Sequence, residues 1–232
     1  MSWPDCWNTR DLGGLPLDGG VTRSRALIRS DTLVHLTPEG RDAMSRYGVK
    51  TVLDLRSRNE RLTNPSPFDG AVGPVRYVHR ELIDDSNMNS IGDSKDMFER
   101  YVFIIDSRPH AFAGVFGAIA EAEGGVVFHC FAGKDRTGLV AAMLLSLAGV
   151  APDDIATDYG LTDLQLAKQY EVWISEAPPE KRELFRDELR CPPERILRVL
   201  DHFHRKWGGV AAYLEQAGVP AADLDRLRQR LV

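Results

Sequence analysis

One stretch constrains this chain more than any other: the apolar run Val126-Val127-Phe128, the segment 129–136, and then residues 137–148, nearly all apolar or small. A short β-rich run without polar alternation predicts a strand buried on both faces, and the segment after it predicts a buried helix stopped by Gly149. A strand that passes straight into a helix belongs to an α/β fold. The loop between them lies at the carboxyl end of the strand, where open α/β sheets bind their ligands. Other segments repeat the pattern. Thr37 as N-cap, Pro38 at the first helical position and Glu39 at the positive helix end predict a helix that stops at Gly48. A strand over residues 49–55 follows it, and another is expected over residues 75–78. Residues 97–122 carry apolar positions at helical spacing, broken into two helices near Pro109. Residues 152–232 read as wholly helical, with starts near Pro152, Pro178, Pro192 and Pro220. Residues 64–73 and 84–96 read as loops, and no internal repeat or interdomain linker is evident.

Composition narrows what such a fold does. The 232 residues, 43% hydrophobic, suffice for an extensive core. A net charge of -5, spread without long runs of either sign, gives no basis for nucleic-acid binding, so any anion site must be local. Cys6, Cys130 and Cys191 are too few and too widely spaced for a disulfide framework or a zinc site, which predicts a reduced environment and no metal. The stretch Met1-Ser2-Trp3-Pro4-Asp5 lacks the basic start and apolar run of a signal peptide. No apolar segment reaches the roughly 18 residues that span a bilayer, so a cytoplasmic location is expected, with export lacking a cleaved signal left open.

The chemistry lies in His129-Cys130-Phe131-Ala132-Gly133-Lys134-Asp135-Arg136-Thr137-Gly138. Only Cys130 has an arginine six positions on; the same offset from Cys6 and Cys191 finds Leu12 and Leu197. Phe131, Ala132, Gly133, Lys134 and Asp135 can wrap into a semicircle whose backbone N–H groups form a nest for a tetrahedral dianion at a helix N-terminus. Gly133 supplies a conformation that residues with a Cβ resist. The same N–H groups favour a thiolate over a thiol at Cys130, the expected nucleophile. Arg136 can hold two phosphoryl oxygens with its planar fork. Thr137 is placed to donate to the sulfur as a leaving group, and His129 to organise the loop by hydrogen bonding. The leaving group also needs a proton, for which Asp84 in a polar loop and Asp135 beside Arg136 are both candidates. These parts describe phosphomonoester hydrolysis through a phosphocysteine, with inorganic phosphate as product and no cofactor.

This loop resembles the signature of the atypical bacterial protein tyrosine phosphatases of the mycobacterial B type. The resemblance extends to Asn8-Thr9-Arg10-Asp11-Leu12-Gly13-Gly14, to Arg29-Ser30-Asp31, to Asp54-Leu55-Arg56-Ser57 and to residues 209–228, so it covers nearly the whole chain as a single phosphatase domain over 1–232. It implies a central, mostly parallel sheet flanked by helices, and hydrolysis of phosphotyrosine proteins, with phosphoserine, phosphothreonine and phosphoinositides as further substrates. It matches Cys130, Arg136 and Asp84 to nucleophile, phosphate binder and acid, and Lys134 and Asp135 to positions linked with broad specificity. Lys134 is expected as a second positive charge beside the pocket. Residues 158–193 correspond to a helical lid, with Tyr170, Trp173, Ile174, Leu184 and Phe185 as apolar positions. The motif at residues 8–14 is expected to fix the fold through turn glycines and an Arg10-Asp11 pair.

Overall fold

The computed structural model describes residues 3–71, 73–86 and 96–232. Strands β1 (Arg10–Asp11), β4 (Leu27–Ser30), β5 (Val49–Asp54), β6 (Arg76–His79) and β7 (Gly125–His129) form one sheet in the order β1-β4-β7-β5-β6. All pairings are parallel except that of β1 with β4. A separate hairpin joins β2 (Pro16–Leu17) to β3 (Gly20–Val21).

β7 runs through the middle of the sheet with every residue buried, as its unbroken apolar sequence requires. Its alternate side chains enter different layers. Val126 and Phe128 join Leu27 and Leu53 in the larger core, with Phe116 and Ile119 of α4 (Pro109–Glu121), Leu139 and Met143 of α5 (Asp135–Ala148), and Leu227 of α11 (Ala221–Leu231). Val127 packs on the opposite face with Ile28 and Val52, beneath Met44 of α1 (Pro38–Tyr47). The period of two thus covers both faces of the sheet.

Register positions the site. Ser30 and Asp54 both pair with His129, and His79 pairs with Asp54, so four strand ends lie level at one edge. The segments after β4, β5, β6 and β7 therefore emerge side by side, and they contain Asp31, Arg56, Asp84 and Cys130.

The expected α1 is present, with Thr37 Oγ1 accepting from the Gly40 N–H and Gly48 closing it at φ 104°. Pro109 separates α3 (Met97–Ser107) from α4 as anticipated. After α5 come α6 (Pro152–Gln165), α7 (Ala167–Glu176), a 3₁₀ turn (Pro179–Lys181), α8 (Arg182–Leu189), α9 (Pro193–Trp207), α10 (Val210–Gln216) and α11. Two boundaries in this region have no proline signal: α6 ends at Leu166, and α9 ends where Gly208 and Gly209 take positive φ. Helix α2 (Arg58–Thr63) is an addition inside what reads as strand-to-loop sequence, nucleated by a capping box between Ser57 and Glu60. Most of the polar loop expected over 84–96, namely residues 87–95, lies outside the described residues, as do Met1 and Ser2. Among the described residues, no helix is long and apolar enough to cross a membrane.

Candidate active site

The loop after β7 is shaped by what its carbonyls bind. His129 Nδ1–H donates to Cys130 O at 3.0 Å, and the Thr32 N–H to Phe131 O at 2.8 Å. Asn8 Nδ2 donates to Ala132 O at 2.9 Å and Gly133 O at 3.0 Å, and Arg29 Nη2 reaches Gly133 O at 2.8 Å. A trans peptide carries its N–H opposite its C=O, so binding these carbonyls on the outside turns the N–H groups of Phe131, Ala132, Gly133 and Lys134 away from those partners. Among the described residues, none of these N–H groups donates to a protein acceptor. The run ends at the N-terminus of α5, which adds its own unpaired N–H groups and positive partial charge. Gly133 is required twice over: its φ is 67°, and a Cβ there would lie 2.5 Å from Ser30 O and 2.6 Å from Asp31 N.

A buried ionic frame fixes the donors behind the loop. Asp158, on α6, accepts from Arg10 Nε at 2.7 Å and from Arg29 Nη1 at 2.6 Å. Arg10 Nη1 in turn donates to Asn8 Oδ1 at 2.5 Å, aiming the Asn8 amide at the loop. Burial opposes ionisation of Asp158, yet Arg29 and Arg10 outweigh it and hold its carboxyl below the usual carboxylate range. The expected Arg10-Asp11 pair does not form. Adjacent residues of a strand point to opposite faces, and Asp11 instead accepts from Gly13 N–H, Arg25 N–H and the Tyr47 hydroxyl.

Cys130 and Arg136 lie at the two ends of the loop, 2% and 9% exposed. Arg136 Nη1 and Nη2 meet Glu60 Oε2 and Oε1 at 2.5 and 2.8 Å. Burial works against the charge of Arg136, but the Glu60 bonds and carboxylate, with Cys130 and Asp135, raise its affinity for the proton. His129 is fully buried, which lowers its pKa, and its Nε2 stands 3.9 Å from Asp54 Oδ2, with no hydrogen bond among the described residues. Asp54 is engaged by Arg56 and by the Tyr77 hydroxyl. The Thr137 hydroxyl, expected on the sulfur, is buried and makes no hydrogen bond among the described residues.

Lys134 lies beside the pocket, with its charge already engaged by protein groups. It is 3% exposed, and its ammonium donates to Glu188 O of α8 at 2.6 Å and pairs with Asp135 at 3.1 Å, because the helix C-terminus offers a carbonyl and negative partial charge. Asp135 also accepts from the Tyr101 hydroxyl at 2.5 Å, itself bonded to Tyr159. Burial raises the Asp135 pKa, but Lys134, Tyr101 and Arg136 together hold it below the usual range. Asp84 pairs with Arg108 at 2.5 Å and accepts from Ser86, while the neighbouring Asp85 accepts from Ser57 Oγ at 2.6 Å.

Helices α7 and α8 form a small apolar cluster of Leu166, Tyr170, Ile174 and Leu189 that meets the loop at Ala132. Trp173 lies 5.9 Å from Phe131, ring to ring, and Leu184 is exposed. Between loop and helices a pocket of about 520 Å³ is lined by Phe131, Lys134, Asp135, Trp173, Phe185 and Leu189, among others. The remaining cysteines are free thiols; burial pushes Cys6 up to about 12 and Cys191 up to about 11, leaving both poor nucleophiles at neutral pH.

Sequence reasoning missed the roles of Asn8, Arg29, Glu60 and Asp158. Only Arg29, a charge inside an apolar strand, and Glu60, in the Ser57-to-Glu60 capping pattern, carry a local signal.

The profile of the tyrosine phosphatase family matches residues 1–232. A tyrosine-protein phosphatase of Nostoc commune is 32% identical, over 89% of this chain and 74% of its own length. The triple specificity protein phosphatase PtpB of Mycobacterium tuberculosis is 28% identical over 97% of this chain and 96% of its own length.

Two outcomes follow from this geometry. Gly133→Ala should push the loop off Ser30 and cut kcat/KM for an aryl phosphate by about 10²-fold or more, as displacements of about 1 Å do in preorganised sites. Steady-state kinetics check this. Asp158→Asn should lower the thermal midpoint by about 10 °C, since breaking a buried pair costs about 3–5 kcal/mol. Because the Asp158 pKa is lower folded than unfolded, its contribution is full above the unfolded value and is lost as pH falls through the folded one. The difference in midpoint between wild type and Asp158→Asn should therefore narrow below about pH 4.

Proposed function

The chain belongs to the tyrosine phosphatase family, and from that membership we propose that it is a cysteine-dependent protein tyrosine phosphatase acting through a phosphocysteine. The observation that carries this reading is the row of N–H groups from Phe131 to Lys134, bounded by Cys130 and Arg136, which meet no protein acceptor among the described residues while their peptide carbonyls are all bound. In this mechanism the Cys130 sulfur attacks phosphorus in line. An S–P bond forms and the bond to the leaving oxygen breaks. The loop N–H groups and the free edge of Arg136 stabilise charge on the equatorial oxygens.

The leaving oxygen takes a proton from Asp84, which first parts from Arg108 and swings over the loop as the neutral acid. The same carboxylate then removes a proton from water, which attacks phosphorus, breaks the S–P bond and releases inorganic phosphate. Thr137 assists the departing thiolate. Asp135, held ionised by Lys134 and Tyr101, is suited to bracing the loop rather than to donating a proton. Residues 1–232 act in this reading as one phosphatase domain, with 158–193 as the lid.

The aromatic pocket edge at Phe131, Trp173 and Phe185 supports an aryl phosphate such as phosphotyrosine. A relative named for triple specificity supports a range that extends beyond it. The case for phosphoinositides weakens with Lys134 turned onto Glu188 and Asp135.

Hydrolysis of p-nitrophenyl phosphate should persist in EDTA and vanish in Cys130→Ser; activity retained in that variant would rule out the mechanism. Asp84→Asn should lower kcat by about 10²-fold with little change in KM, and an unchanged rate would remove Asp84 from the proton transfer.

A further inference from the structure

The pocket beside the Cys130 loop is larger than the ring of a phosphotyrosine. At about 520 Å³ it falls in the range that encloses a drug-sized ligand, so an aryl group at Phe131 fills only part of it. Two helix faces bound the remainder. Trp173 and Glu176, three residues apart on α7, share one face, and Phe185 and Leu189, four apart on α8, share the other. All four line the pocket. Phe131, Trp173 and Phe185 thus bring three aromatic rings to it, and Phe131 is 46% exposed, which leaves ring surface open.

Charge in this pocket is unevenly matched. Among the described residues, its charged lining consists of Lys134, Asp135 and Glu176. Lys134 and Asp135 pair at 3.1 Å and cancel, with further bonds to the Glu188 carbonyl and from the Tyr101 hydroxyl. Glu176 is exposed, and among the described residues no hydrogen bond or ion pair engages its carboxylate. Arg182 passes it by, its guanidinium donating to the Ser175 and Ala177 carbonyls on either side. The pocket is therefore left with one unpaired negative charge, at the end of a helix whose C-terminal partial charge has the same sign.

Aromatic faces beside a carboxylate suit a cation. A guanidinium or ammonium is drawn to the face of an aromatic ring within about 6 Å of its centre, most of all to that of Trp. We propose that this part of the pocket is a subsite for an arginine or lysine side chain flanking the phosphotyrosine, with Glu176 as its ionic partner and the rings of Trp173 and Phe185 packed against it. This rests on the phosphatase reading of the Cys130 loop. The substrate class it selects is a phosphotyrosine protein with a basic residue close to the phosphorylated one. A substrate that carries several anionic groups, such as a phosphoinositide, is repelled by the same carboxylate.

The test uses short phosphotyrosine peptides that carry a single Arg or a single Glu at each of the two positions on either side of the phosphotyrosine, with alanine elsewhere. At one of these positions at least, wild type should turn over the Arg peptide with a kcat/KM about tenfold above that of the Glu peptide, and this ratio should shrink as salt rises. In Glu176→Gln the ratio should fall to about threefold or less, and in Glu176→Lys it should invert. Each ratio compares two substrates of one protein, so any loss of folded enzyme cancels from it. Equal kcat/KM on Arg and Glu peptides at every position would overturn the proposal. A ratio unchanged in Glu176→Gln would also overturn it, by assigning the preference to the charge of the rest of the protein. So would a wild-type kcat/KM on a soluble short-chain phosphoinositide above that on the best Arg peptide. The two readings fail separately. Peptide hydrolysis that is lost in Cys130→Ser but shows no Arg-to-Glu preference in wild type defeats only the subsite, whereas hydrolysis that survives Cys130→Ser defeats the loop mechanism itself.

Discussion

Four consecutive carbonyls, from Cys130 to Gly133, each receive a hydrogen bond from outside the loop, and the remainder of the site depends on that arrangement. A planar peptide cannot hide its oxygen without showing its hydrogen on the other side. The donors come from His129 beside the loop, Thr32 after β4, Arg29 within β4 and Asn8 before β1. Alignment of the strand ends makes these segments neighbours. The sheet and its register therefore build this row of N–H groups, and in the proposed mechanism the phosphoryl oxygens meet it with little reorganisation.

Such an arrangement needs charges where a core would prefer none. Arg29 is 0% exposed and Asp158 5% exposed; neither is tolerable alone. Shared between Arg10 and Arg29, Asp158 makes both arginines affordable and ties α6 to the back of the loop. On the other flank, Asp54 engages Arg56 and Tyr77 beneath the start of α2, and Glu60 extends that frame to Arg136. Lys134 forms a third connection, from the loop to the end of α8. The loop thus joins three parts of the molecule that are far apart in sequence.

The strand, loop and helix at 126–148 were legible because they depend on local properties: an unbroken apolar run, a glycine at the one turn that needs positive φ, and a helix apolar on every side. The cap at Thr37, the stop at Gly48 and the break at Pro109 were legible for the same reason. The two residues of β1 and the four of β4 carry too little pattern to stand out, and Arg29 interrupts the apolar character of β4. The partners of the ionic groups were harder still. Arg10 pairs with Asp158, 148 positions away, rather than with adjacent Asp11, and nothing local indicates that choice. Nor does anything local indicate that the Lys134 ammonium binds a carbonyl of α8, 54 positions away, brought there by tertiary folding.

In the proposed reaction a phosphoryl group transfers from substrate to the Cys130 sulfur in the nest made by these N–H groups. Rapid quenching during turnover of an aryl phosphate, followed by mass spectrometry of the cysteine-containing peptides, tests it most directly. A transient phosphoryl adduct is expected on Cys130 and none on Cys6 or Cys191. Turnover with the adduct on a different residue, or with none formed at any time in the first turnover, would contradict it.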